Sequence, residues 1–210
     1  MFFVRQHGNH CGLHAIQNMF KSAAVTSEDM HNACTKIHVE TGDLVSNHES
    51  FGGDWSVSAV ITTLETRGYT VYRAVESRQQ RTWAGDSLEQ LLNNEQFRGM
   101  IIHLPWTRHY ACLRPESSAT GRHLYYVDSQ SAGPIRVSPK LVQRRCLNTA
   151  YSWEPYAVMG DEMEFVPITI GHEQSTEFKE RPRVPLSAEF MRDWHALSSS
   201  TSQTKTRGTQ

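Results

Sequence analysis

The sequence predicts an α+β fold: a mainly helical first half followed by an antiparallel sheet. Apolar residues recur at helical spacing through most of residues 11–92, and they alternate as in strands through most of 99–170. Helices first and strands second is the pattern of segregated layers rather than of a parallel βαβ sheet. A chain of 210 residues with 38% hydrophobic side chains can also fill one core of ordinary size, with little left over.

Each element has a local reason. Residues 11–21 carry Leu13, Ile16 and Phe20 on one helical face. Thr26 with Asp29 resembles a capping box, opening a second helix whose apolar face is Met30, Ala33, Cys34 and Ile37. Asp54 is placed to cap a third helix, with Val57, Val60, Ile61 and Leu64 on one side and Gly68 at its close. Residues 69–75 then alternate as a strand. Ser87 and Gln90 cap a fourth helix that buries Leu88, Leu91 and Leu92. Strands follow at 99–105, 109–115 and 124–129, with a last pair around 156–160 and 163–170. Between them, Ser138 and Pro139 open a short helix, the proline in its first turn.

From residue 171 onward the composition changes. The final stretch is polar and rich in serine and threonine, too poor in aliphatic side chains to offset the entropy of ordering it. The expected organisation is a catalytic body over residues 1–170 and a flexible tail over 171–210, with one short helix around 187–197.

Bulk properties exclude several classes. With 21 basic against 22 acidic side chains there is no basic stripe to hold nucleic acid or an anionic membrane. No apolar run approaches the roughly 20 residues of a membrane span. The first residues reach charge too soon for a signal peptide. Four cysteines without a C-x-x-C pair do not make a disulfide framework, so a reducing cytoplasmic or nuclear location is expected, where a free thiol can act as a nucleophile.

Chemistry concentrates in Gln6-His7-Gly8-Asn9-His10-Cys11-Gly12-Leu13-His14. Cys11 stands where a loop meets a helix, and a thiolate there gains from the positive end of the helix dipole and its unpaired N–H groups. Gly12 would leave space beside the sulfur for a substrate carbonyl. Gln6 is an amide donor that could fold back to form an oxyanion hole with the Cys11 N–H. Among 11 histidines, position selects His109, which opens a strand at the edge of the sheet and can act as general base. Asp128 closes the next strand on the face shared by Leu124 and Tyr126, where a carboxylate would orient the imidazole.

Each residue also has a plainer reading. A cysteine at a helix start is often an inert core thiol, a strand-edge histidine is often a surface group, and an aspartate before Ser129 and Gly133 can be turn chemistry. The combination with Gln6 is what points to a nucleophilic site. Cys34, Cys112 and Cys146 read as structural. His7, His10, Cys11 and His14 cluster in sequence as metal ligands do, but no second ligand pair accompanies them. Neither a metal nor another cofactor is expected.

Taken in order, these segments resemble the Josephin family of deubiquitinating enzymes. QHGNHCGLHAIQNMF is similar to the family's opening motif. GGDWSVSAVITTLETRGYTVY resembles the helix and strand that follow it, RHYACLRP the histidine strand, LYYVDSQSAGP the strand ending in the third triad member, and YAVMG the final core strand. The resemblance implies a papain-like cysteine protease fold, with a helical subdomain packed against an antiparallel sheet. It also implies hydrolysis of the peptide or isopeptide bond after the C-terminal glycine of ubiquitin. Cys11 then matches the nucleophile, His109 the base, Asp128 the third member, Gln6 the oxyanion donor, and His14 a structural histidine. Ubiquitin or ubiquitinated proteins are the implied partners of a monomeric enzyme, and Trp55 and Trp106 are candidate walls of a narrow cleft. Tyr110 replaces a tryptophan common after the histidine, and His10 replaces an apolar residue before the cysteine. The alternatives are a papain-like protease acting on another polypeptide and an idle ubiquitin-binding domain.

Overall fold

The computed structural model describes residues 2–6, 8–50, 53–76 and 81–161. The strand expected at 163–170, the tail over 171–210 and its helix at 187–197 lie outside the described residues. His7 does as well.

Helix α1 (Cys11–Phe20) is the centre of the molecule. Every residue from Cys11 to Met19 is buried, although Leu13, Ile16 and Phe20 alone suggested a single apolar stripe. The cause is position. The core joins α1 to Met30 and Cys34 of α2 (Ser27–Thr41) and to Ala59, Val60 and Leu64 of α3 (Val57–Thr66). It also joins α1 to sheet residues such as Ile101, Cys112 and Val158. A helix between two layers has no solvent face. Its polar members are therefore occupied: His14 Nδ1 lies 3.0 Å from Gln17 Oε1, and Gln17 Nε2 donates to the Val25 carbonyl at 2.8 Å.

The second helix forms as its sequence dictates. The Thr26 side chain accepts from the Asp29 N–H while the Asp29 carboxylate accepts from the Thr26 N–H at 2.7 Å, and Gly42 closes the helix at φ 78°. Met30, Ala33, Cys34 and Ile37 are its buried residues. The third helix begins differently from expectation. Ser56, not Asp54, is the cap, its hydroxyl accepting from the Ala59 N–H at 3.1 Å. Asp54 is instead committed to a two-residue hairpin formed by β1 (Glu49–Ser50) and β2 (Asp54–Trp55), and its carboxylate is held by Arg108. Strands this short carry no readable alternation in sequence.

The sheet has six antiparallel strands in the order β3 (Thr70–Arg73), β8 (Glu154–Met159), β4 (Phe97–Leu104), β5 (His109–Ser118), β6 (Gly121–Val127) and β7 (Ile135–Val137). Strand β7 was not anticipated; three residues on the sheet edge gain their structure from pairing with β6. Helix α4 (Leu88–Asn93) has the expected Ser87–Gln90 capping box. Helix α5 (Pro139–Leu147) starts with proline in its first turn, but the Ser138 side chain makes no capping hydrogen bond. The fold is thus a papain-like α+β arrangement, with five helices and one antiparallel sheet of six strands among the described residues.

Two features bear on the site. Strands β4 and β5 pair in register from Leu104↔His109 onward, joined by a 3-10 turn at Pro105–Thr107, so His109 stands at the rim of the sheet. The N-terminal segment is tied along α1 by Asn18, which takes the Val4 N–H at 2.7 Å and donates to the Val4 carbonyl at 3.0 Å. Buried Arg114 secures the same segment by donating to the carbonyls of Phe2 and Asn18 at 3.1 and 2.7 Å.

Candidate active site

Cys11 is the first residue of α1, so its N–H belongs to the turn whose donors the helix leaves without acceptors. His10 caps the helix by backbone alone. The cysteine is only 4% exposed, and its sulfur lies 3.9 Å from the carbonyl oxygen of Arg108. It therefore sits at the margin of the core rather than on an open surface. Packing on the other side of the chain is equally close. A Cβ on Gly12 would come within 3.1 Å of Val60 and 3.5 Å of the Tyr110 ring. The space expected beside Gly12 for a substrate is thus filled by the core, and the glycine serves helix–sheet packing.

His109 is the meeting point. Its Nε2 lies 2.8 Å from Asp128 Oδ1, and Cys11 is close enough to act on the ring from the other side. With Nε2 engaged by the carboxylate, Nδ1 is the nitrogen left for the sulfur. Burial works against the imidazolium, but the hydrogen bonds and charges of Asp128 and Cys11 outweigh it and raise the histidine from 6.5 to about 10. At neutral pH the ring carries its proton.

Asp128 is fully buried and held by three donors. Besides His109, its Oδ1 accepts from the Gln130 N–H at 2.9 Å and its Oδ2 from the Tyr126 hydroxyl at 3.3 Å. The bond to Gln130 is an Asx turn, so the plain turn reading and the site reading describe the same carboxylate. Burial and the neighbouring carboxylate push Tyr126 well above its ordinary value, which keeps its hydroxyl a donor.

Gln6 arrives from the clamped N-terminal segment. Its N–H donates to the Ser129 carbonyl at 2.9 Å, one residue beyond Asp128, and Ser129 Oγ donates to Gln6 Oε1 at 3.2 Å. The amide nitrogen donates to the Gly8 carbonyl at 2.7 Å. A primary amide has two N–H donors, so that bond engages one of them.

The remaining sulfurs are inert by environment. Burial raises Cys34 to about 11 and both Cys112 and Cys146 to about 12. Among the described residues no group of three or more histidine, cysteine, aspartate or glutamate side chains is arranged to hold a metal ion, and no helix is long and apolar enough to cross a membrane. The two tryptophans part ways. Trp55 is 4% exposed and belongs to the core, whereas Trp106 is 84% exposed on the turn leading to His109. A hollow of about 390 Å³ lies between His10, Gly53, Trp55, Glu28 and Glu49, but none of Cys11, His109 or Asp128 lines it.

Sequence reasoning did not single out Asn18, Arg108 or Ser129, the residues that place Gln6 and roof the sulfur. Asn18 carried only its polarity inside an apolar helix; its full burial, which demands partners outside the helix, is visible only in the fold. Arg108 and Ser129 carried none. Against families of known proteins, the model described as Josephin matches residues 6–152. No individual curated protein gave a match.

Proposed function

Because the chain belongs to the Josephin family, whose members are cysteine proteases of the deubiquitinase type, we propose that it hydrolyses the peptide or isopeptide bond after the C-terminal glycine of ubiquitin. The observation that carries this reading is the line Cys11–His109–Asp128, in which the imidazole stands between a thiol and a fully buried carboxylate 2.8 Å from its Nε2. An imidazolium beside the sulfur stabilises the thiolate, and Asp128 keeps the ring in the orientation that faces it.

The reaction runs in two steps on this arrangement. The Cys11 thiolate adds to the scissile carbonyl, and the charge on oxygen is met by the Cys11 N–H and by the Gln6 amide, which turns its second proton to the oxyanion. His109 gives its proton to the leaving amine as the C–N bond breaks, leaving a thioester on Cys11. A water molecule then loses a proton to His109 as it attacks the thioester, which releases the carboxylate and the thiol. The Gln6–Ser129 contacts support this role for the amide by fixing its carbonyl end.

The test is labelling by a ubiquitin probe with a C-terminal electrophile. Wild type should form a covalent adduct that Cys11→Ala does not, and Asp128→Ala should slow it by about 100-fold or more. An undiminished adduct on Cys11→Ala, or none on wild type, overturns the assignment. Faster reaction with a short-peptide or ubiquitin-like probe would move the substrate to that class.

A further inference from the structure

Three consecutive residues at the end of the β1–β2 hairpin each touch a residue that adjoins the cysteine or the histidine. Gly53, at φ 83°, packs so closely on the His10 imidazole that a Cβ would overlap the ring, and His10 precedes Cys11. Asp54 Oδ2 lies 2.8 Å from the guanidinium of Arg108, which precedes His109. The Trp55 carbonyl accepts a 3.0 Å hydrogen bond from the hydroxyl of Tyr110, which follows His109. Contacts to both neighbours of the histidine and to the neighbour of the cysteine come from one tripeptide.

That tripeptide is itself held. The Gly53 N–H donates to Ser50 at 3.2 Å, Ser50 Oγ donates to the Asp54 carbonyl at 3.3 Å, and the Ser56 N–H donates to His48 at 2.8 Å. Ser56 caps α3, and the Trp55 side chain lies in the core, so the hairpin is anchored from behind. Arg108 adopts φ 49°, a left-handed conformation unfavourable for a non-glycine residue that persists only where its surroundings impose it. The ion pair with Asp54 and the 3.2 Å bond from its N–H to Pro105 are such surroundings. The same conformation brings the Arg108 carbonyl to the Cys11 sulfur.

We propose that Gly53-Asp54-Trp55 is a splint that sets the separation of the Cys11 sulfur and the His109 ring, with Arg108 and Tyr110 as positioning residues through which it acts. The need is physical: sulfur and imidazole come from a helix and a strand rim that share no hydrogen-bond ladder. A displacement of about 1 Å between reacting groups is enough to lose about 100-fold in rate. The inference rests on the cysteine-hydrolase reading of the site, so its test is made independent of the substrate.

The measurement is alkylation of Cys11 by iodoacetamide in the full chain, located by mass spectrometry, at about pH 6 and about pH 9. The charged groups acting on the ring are Asp128 beyond β6 and Cys11 of α1; Arg108 and Tyr110 flank it in the chain, and Asp54 of β2 pairs with Arg108 and acts on Tyr110. Wild type should react readily at the lower pH, as expected of a sulfur held against the His109 imidazolium. Tyr110→Phe removes one oxygen and Asp54→Asn one charge; each should slow alkylation at about pH 6 by about tenfold and leave the rate at about pH 9 within about twofold. Combining Asp54→Lys with Arg108→Glu should restore the low-pH rate that either change alone loses. Unchanged rates in both single variants, slowing by the same factor at both pH values, faster reaction, or a swap that restores nothing would overturn the splint. A wild-type Cys11 that resists alkylation at both pH values would instead overturn the nucleophile itself.

Discussion

His109 keeps its proton to about pH 10 in the fold, against 6.5 for an ordinary imidazole, and the consequences for activity and for stability have definite signs. The pairing contributes stability that is fully present below about pH 6.5 and is lost as pH rises through about 10. Asp128 supplies the largest of the upward influences, so Asp128→Asn should lower the histidine. Activity in wild type is expected to fall on the alkaline side near pH 10, and in Asp128→Asn that fall should begin at lower pH. Urea denaturation should show the two proteins differing most at about pH 6 and converging as pH rises toward 10. A fall at the same pH in both proteins would remove Asp128 from its orienting role. The three other thiols should stay unreactive in the same range, since burial above all holds them protonated. At this scale the sequence was informative. The residue types at Cys11, His109 and Asp128 limited what chemistry could occur, whereas the filled space at Gly12 depended on Val60 and Tyr110, which come from distant parts of the chain.

Among the elements, α1 and the segment before it carry the site. Asn18, seven residues after Cys11 on the same helix, fixes Val4, two residues before Gln6, through both of its backbone groups. Asn18→Ala should therefore lower kcat by about tenfold through a misplaced oxyanion donor, with KM little changed. The comparison is Thr26→Ala, which removes a helix cap far from the dyad and costs about 1 kcal/mol of stability. Chemical denaturation and steady-state rates on both variants separate the two effects: a kcat that tracks stability in both would remove Asn18 from any positioning role. Helices were legible because capping boxes at Thr26 and Ser87 and the apolar spacing behind them act within a few residues. The β1–β2 hairpin and β7 were not legible. Two- and three-residue strands have no periodicity of their own and exist because a neighbour pairs with them. The displaced cap of α3 has the same origin, since Asp54 was taken by Arg108 from another region of the chain.

For the whole molecule, the controlling contact is the seat of α1 on the sheet. Gly99, at φ 147° and beside a register shift in β4, lies where an added Cβ would overlap the Leu113 carbonyl and meet Met19 of α1. Gly99→Ala should destabilise the protein by roughly 2–5 kcal/mol through strain and overpacking together, measured as a lower midpoint in urea. Retention of wild-type stability would mean that α1 can shift on the sheet, and the fixed sulfur-to-imidazole separation would be untenable. Charge is distributed to the same end: buried Arg114 ties the first residues to α1 and pairs with Glu116 at 2.6 Å, joining the N-terminal segment, the helix and β5 at one point. The sequence by itself determined the class of fold, the helices and most strands, and the residue types able to react, because capping, alternation and side-chain chemistry are properties of neighbours along the chain. Only the tertiary structure decided that the Cys11 sulfur meets His109, that Gly12 is packed shut, and that Gly53-Asp54-Trp55 reaches both. Those contacts join residues remote in sequence, and they arise only when the helix is buried against the sheet.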